Sequence, residues 1–294
     1  MRINRLLLAL ASVLPLSAAA APMVGLTGDQ RLAYFDSATP NTIFATVNIT
    51  GLVAGETLVG IDNRPATGTI VGLGRAGRIY QISQAGAAVP ATAAASTTAL
   101  NGAAFGVDFN PAVDRLRVVS DSDQNLRFHP DTGAVAGVDT PLAPAGDKVA
   151  AAYDQNVAGT TTTTLFLIDS TTDTLVRQGG VNGTPSPNTG AITEIGPLGV
   201  NTSAASGFDI SGTGEVRAVL TVAGTPGLYN VNLATGAATL IGTFPGSVTV
   251  TDATFVVGFP AVTTNQLPTL GTWGIIGLSS LLLLAGVTAA RRFS

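Results

Sequence analysis

Short apolar runs follow one another along this chain, separated by breaks rich in glycine, threonine, asparagine and proline. The runs recur as a unit. Leu58-Val59-Gly60-Ile61-Asp62 is followed by runs at 69–73 and 78–82, and Phe105-Gly106-Val107-Asp108 by runs at 115–119 and 125–128. Ala151-Ala152-Tyr153-Asp154 leads into 163–168 and 174–176, and Ser206-Gly207-Phe208-Asp209 into 216–220 and 227–231. Each unit closes with a fourth short run, clearest at 238–242. Runs of this length between turn residues are strands rather than helices. The marker aspartates stand at 62, 108, 154 and 209, with spacings of 46, 46 and 55. Four strands in about 45 residues is the size of a propeller blade.

The remaining runs complete a ring. Runs at 24–26, 32–35 and 43–47 lack a first strand, and the run at 248–256 has nothing after it. Together they make a fifth blade closed by strands from both ends, which removes a free sheet edge. The pattern therefore predicts an all-β protein, a propeller of five four-stranded blades; an irregular β-sandwich is the alternative the same strands could build. Asp131-Thr132-Gly133 and Ala234-Thr235-Gly236 place glycine where a tight turn needs positive φ. The Pro-rich stretch 182–188 accounts for the longer interval and reads as a surface loop.

Composition narrows the chemistry. Only 11% of the 294 residues are charged, and there are no cysteines and one histidine, His129. Disulfides, thiolate catalysis and multi-histidine metal sites are thereby excluded. With the four terminal arginines set aside, ten basic residues face eighteen acids, a net charge of about −8. That field disfavours nucleic acid and attracts cations.

Both ends read as addresses. Residues 1–20 form a secretory signal: Arg2 and Arg5, an apolar stretch over 6–16, then Ala18-Ala19-Ala20 before the cleavage site. Signal peptidase and Sec-type export are the implied partners. Residues 21–262 are then the propeller, and 263–294 a C-terminal segment. No charge occurs from Leu267 to Ala290, and residues 273–290 are long enough for one transmembrane helix. Arg291 and Arg292 would hold its end in the cytoplasm, with the domain outside.

Leu267-Pro268-Thr269-Leu270-Gly271-Thr272-Trp273-Gly274, an apolar stretch and the basic pair resemble the IPTL-CTERM sorting signal. Its plan is similar to the signals that exosortases of Gram-negative bacteria recognise. The likeness implies a transient inner-membrane precursor, an exosortase-like processing enzyme, and a mature form at the cell surface or released. The middle carries a second resemblance. Gly60-Ile61-Asp62-Asn63-Arg64-Pro65, Ala104-Phe105-Gly106-Val107-Asp108-Phe109-Asn110-Pro111 with Asp114-Arg115-Leu116-Arg117, and 124–133 resemble domain-of-unknown-function family 4394 over roughly 24–259. That likeness implies a secreted propeller-like domain and lends no catalytic residue.

Candidate chemistry is sparse. Gly72-Leu73-Gly74-Arg75-Ala76-Gly77 matches GxGxxG, but a strand follows where a dinucleotide site needs a helix, so a hairpin turn is the reading. His129 precedes Pro130 at a strand end, and no serine has a nucleophile elbow around it. Two acidic groupings remain. Asp62, Asp108, Asp154, Asp209 and Asp252 fall on first strands, which line a propeller's channel. They would form either a cation site or a latch in which each carboxylate binds backbone N–H or an arginine such as Arg64 or Arg115 of the adjoining blade. Recurrence favours the latch. The second grouping, Asp29, Asp121, Asp123, Asp169 and Asp173, lies on loops of one face. Asp121, Asp123, Asp169 and Asp173 are the candidate metal ligands, with calcium the cofactor such oxygen donors would take; no other cofactor is implied. The chain thus reads as an exported binding or scaffold module of unknown ligand. The alternative is an extracellular propeller hydrolase or lyase using acidic loop residues, with or without calcium.

Overall fold

In the computed structural model, residues 21–260, apart from 93 and 205, are described. They form five four-stranded antiparallel sheets. Blade 2 is β4 (Leu58–Arg64), β5 (Thr69–Gly74), β6 (Ile79–Ile82) and β7 (Ala88–Pro90). Blade 3 is β8 (Phe105–Asn110), β9 (Arg115–Ser120), β10 (Asn125–Phe128) and β11 (Val135–Val138). Blade 4 is β12 (Lys148–Tyr153), β13 (Leu165–Asp169), β14 (Thr174–Gln178) and β15 (Ile192–Pro197). Blade 5 is β16 (Gly207–Ile210), β17 (Val216–Val222), β18 (Thr225–Val231) and β19 (Ala238–Thr243). Blade 1 joins β1 (Pro22–Thr27), β2 (Arg31–Asp36) and β3 (Thr39–Asn48) to β20 (Val250–Phe255), the innermost strand, supplied from the other end of the domain.

Burial follows position in the blade. Every residue of β12 is buried, as are all but one in β8 and β9, because inner strands are covered on both faces by neighbouring blades. The outer strands β3, β11, β15 and β19 are mostly half-buried or exposed. That difference is why the inner strands read as continuous apolar runs. Blades pack through shared apolar clusters: Phe166, Ile168 and Leu175 of blade 4 meet Phe208, Ala218 and Tyr229 of blade 5. Closure runs through Met23↔Phe255, Val24↔Thr254, Gly25↔Ala253 and Leu26↔Asp252. Gly133 (φ 66°) and Gly236 (φ 83°) take the left-handed turn conformation that their turns require. Gly74 ends β5 and Gly77 turns the hairpin into β6, so the GxGxxG run is a turn.

Two expectations change. The stretch 182–188 is not merely a surface loop: Pro187 is buried, and Asn188 Oδ1 accepts a bond from Arg117 of blade 3 at 2.7 Å. Asp154 lies beyond the end of β12, and its carboxylate accepts Thr164 N–H within its own blade. The secretory signal, the predicted helix 273–290 and Leu267, Pro268, Thr269, Leu270, Trp273, Gly274, Arg291 and Arg292 lie outside the described residues. Among the described residues no helix is long and apolar enough to cross a membrane.

Candidate functional site

The innermost strands carry a three-residue pattern, Gly60-Ile61-Asp62, Gly106-Val107-Asp108 and Gly207-Phe208-Asp209. Both ends of the pattern have a physical reason. Each aspartate reaches the next blade: Asp62 Oδ2 accepts Phe109 N–H at 2.8 Å, Asp108 Oδ2 accepts Tyr153 N–H at 2.7 Å, and Asp209 Oδ2 accepts Phe255 N–H at 2.7 Å. Each glycine lets two blades approach. A methyl group on Gly106 would lie 2.7–2.9 Å from three backbone atoms of Ala150 and Ala151.

The two other blades depart from the pattern in complementary ways. Tyr153 and Phe255 receive the latches, so the aspartate position is Ala152 in blade 4 and Thr254 in blade 1. Asp252 sits two residues earlier, at the glycine position. Its side chain uses the space that the neighbouring glycines leave: Cβ atoms on Gly207 and Gly60 would lie 2.3 Å and 3.2 Å from its two carboxylate oxygens. From there Asp252 Oδ2 accepts Ile61 N–H of blade 2 at 2.9 Å. Four channel carboxylates thus join blades 1–2, 2–3, 3–4 and 5–1. Between blades 4 and 5, Asn156 donates to Ile210 O at 3.0 Å instead.

Asp62, Asp108 and Asp209 converge, with one oxygen from each within 4.8 Å of the others. All three are buried, at 1%, 0% and 2% exposure. The Thr254 hydroxyl lies between Asp62 Oδ1 (2.9 Å) and Asp209 Oδ2 (2.7 Å). Burial raises all the channel carboxyls. Desolvation pushes Asp209 up to about 6 and Asp252 up to about 8, and with the negative field of neighbouring aspartates it holds Asp62 and Asp108 well above the usual range.

The loop aspartates do not form one site. Asp121 accepts Ala103 and Ala104 N–H, and Asp173 accepts Thr202 N–H at 2.8 Å. Asp123 and Asp169 flank the buried Lys148 at 3.7 and 3.2 Å, a neutralised pairing. Asp29 pairs with Arg31. His129 Nδ1 accepts Asp131 N–H at 3.3 Å, a turn contact. Neither Arg64 nor Arg115 pairs with a ring aspartate: Arg64 bonds Asp114 and Asp131 of blade 3, and Arg115 bonds main-chain carbonyls of its own turn.

Sequence reading missed a cleft of about 400 Å³ between blades 3 and 4. Asn110 ends β8 and Arg115 begins β9, Arg117 and Arg127 come from β9 and β10, and Asn182 and Asn188 from the β14–β15 connection. No acidic residue lines it. Arg117 and Arg127 share a single carboxylate, Asp139. Burial alone would raise that carboxyl, but bonds from Arg127 and Arg117 hold it below the usual range. Arg115 donates to the main-chain carbonyls of Val113 and Asp114. Arg117 is 1% exposed with its nitrogens engaged and Arg115 also interacts with Asp131, so the cationic surface of the cleft comes from Arg115 and the half-exposed Arg127.

Ring, latches and cleft together define a five-bladed β-propeller domain. Residues 31–254 match the family described as Domain of unknown function (DUF4394), and the chain belongs to it. No curated protein matches the chain. Among solved structures, it is similar to one in the crystal structure of a nidogen/laminin complex, at 14% identity over 82% of this chain and 86% of that one, TM-score 0.46. A protein of unknown function from Bacteroides thetaiotaomicron matches at 14% identity over 80% and 61%, TM-score 0.48. Glutaminyl cyclase of Myxococcus xanthus matches at 13% identity over 74% and 84%, TM-score 0.42. These likenesses carry no inference about activity.

Proposed function

We propose that this propeller is a non-catalytic, exported binding module of the cell envelope, and that the arginine-lined cleft takes an acidic saccharide. The observation that carries the reading is the local excess of cationic side chains at the blade 3–4 boundary. Guanidinium groups recognise carboxylates through paired N–H donors. The amides of Asn110 and Asn182 at the same cleft suit sugar hydroxyls. The acidic loops support a hydrolase or lyase less well, because Asp29, Asp121, Asp123, Asp169 and Asp173 are each engaged in capping or ion pairs. Export through the N-terminal signal, and release by an exosortase-like enzyme acting on the C-terminal tail, would place the cleft among extracellular glycans.

A glycan array followed by titration calorimetry tests the binding reading. Uronic-acid oligosaccharides should bind, and Arg115→Ala should weaken them about tenfold, the loss of one charge-assisted contact worth about 1.4 kcal/mol. Preference for neutral glycans, or an unchanged affinity in Arg115→Ala, would remove the cleft as the site.

A further inference from the structure

The channel carboxylates carry an inference that is independent of the cleft. Asp62, Asp209 and Asp252 each spend one oxygen on the next blade and the other on the following residue's own N–H: Asn63 at 2.6 Å, Ile210 at 2.6 Å and Ala253 at 2.9 Å. Asp108 does not. Its Oδ2 accepts Tyr153 N–H, while Oδ1 is fully buried without a hydrogen-bond partner. That carboxyl stands within hydrogen-bond reach of the Asp62 carboxyl, two acids with no donor between them unless one holds a proton, in the same three-aspartate cluster. A buried, unpartnered carboxylate oxygen is costly unless something meets it.

Among the described residues nothing basic does so: the buried Arg64, Arg117, Lys148 and Arg217 pair with Asp114 and Asp131, with Asp139, with Asp169 and with Glu215. The Thr254 hydroxyl has one proton for two carboxylates and also accepts Asn63 N–H at 3.1 Å. Among the described residues, therefore, no basic side chain pairs with the three converging acids.

We infer that the channel binds one hard divalent cation of calcium's size, held by one carboxylate oxygen each from Asp62, Asp108 and Asp209. The donor set is all oxygen, which suits calcium or magnesium and not zinc or copper. Oxygens at calcium's ~2.3–2.6 Å can stand about 5 Å apart across the ion, whereas magnesium's ~2.0–2.1 Å limits them to about 4.2 Å. The three oxygens lie within 4.8 Å of one another, so small side-chain shifts bring them around one ion, and calcium's flexible shell takes three protein carboxylates more readily than magnesium's octahedral one. Ligands beyond the three carboxylates would be water; clefts of about 370 Å³ lie near the two ends of the innermost strands. Asn63, next to Asp62, lines one of them. Such an ion ties blades 2, 3 and 5 through a single point, so its role is to stabilise the ring.

The test uses the intact protein stripped with EDTA and dialysed. Equilibrium dialysis with calcium should find one ion per chain. At a hundredfold excess over Kd, Tm should rise by about 5–10 °C, and magnesium at the same concentration should do less. Asp108→Asn should abolish the rise, and Asp209→Asn is read in the same way if that chain does not fold. Asp121→Asn and Asp169→Asn should keep it. A response lost in the loop variants and kept in Asp108→Asn would overturn the inference. So would zero stoichiometry with melting that depends only on pH, which would mean that protons neutralise the cluster.

Discussion

Gly106→Ala places one methyl group against the backbone of the adjoining blade. Gly106 has an ordinary φ, so the cost is steric rather than conformational. The new Cβ would stand 2.7 Å from Ala150 C, 2.8 Å from Ala151 N and 2.9 Å from Ala150 Cα. Relief needs a shift of about half an ångström between β8 and β12. An open sandwich could slide apart, but a closed ring cannot widen one blade boundary without straining the others. Overpacking of this kind costs about 1–3 kcal/mol. Separation of β8 from β12 also stretches the Tyr153 N–H bond to Asp108, whose loss is worth about 1.5–3 kcal/mol. Together these give about 2.5–6 kcal/mol. For a domain of this size 1 kcal/mol moves Tm by about 2–4 °C, so a fall of about 5–24 °C is expected by calorimetry. Gly246→Ala is the control, since nothing lies within 4 Å of its added carbon and its φ is ordinary. Melting of Gly106→Ala within a degree of Gly246→Ala would refute the close-approach argument.

Further expectations follow from the charges. The channel carboxyls have folded-state pKa values raised above the unfolded value of 3.8, so the folded chain binds more protons between the two. The stabilisation from these protons is full below 3.8, so stability in EDTA should already be falling at pH 5 and go on falling as pH rises through about 6 and about 8, the values of Asp209 and Asp252; urea melts that are flat or improving from pH 5 to 8 would contradict this. Arg117→Met strips the partners from Asn188 and the Tyr153 hydroxyl and weakens the hold on buried Asp139, so it should cost about 3–5 kcal/mol in urea melts. Arg64→Met leaves Asp114 and Asp131, at 33% and 52% exposure, free to rehydrate and should cost clearly less. Intact mass spectrometry of the native product should find a chain that ends before Trp273 and starts at Ala21; a mass that includes Ser294 in the inner-membrane fraction would contradict the sorting step.

The blades were legible because inner strands covered on both faces must be apolar throughout, and the turns between them must hold glycine. The latch was legible at Asp62, Asp108 and Asp209 for the same reason: a buried carboxylate recurring at one strand position has to serve a repeated contact. Aligning aspartate to aspartate failed in blade 4. There the inner strand is Ala150-Ala151-Ala152-Tyr153, which offers no polar marker, and Asp154 is the nearest acid past its end. It failed by two residues in blade 1 as well, where Asp252 fills the space of a glycine. The cleft was harder to read. Arg117 and Arg127 are register partners on adjacent strands, but Asn188 is 71 residues from Arg117 and arrives on an insertion that looked like surface loop. Only the Arg115-Leu116-Arg117 spacing hinted that two guanidinium groups share one side of a strand.

Amide NMR tests the latched ring most directly. The account predicts that the N–H groups of Ile61, Phe109, Tyr153 and Phe255, each bonded to a carboxylate of the neighbouring blade, exchange among the slowest in the protein. Their proton shifts should move together with carboxyl titrations above pH 5, and Asp62→Asn should perturb Phe109 before any loop residue. Exchange of these four amides at the rate of the turn amides, with no carboxyl-linked shift, would contradict it.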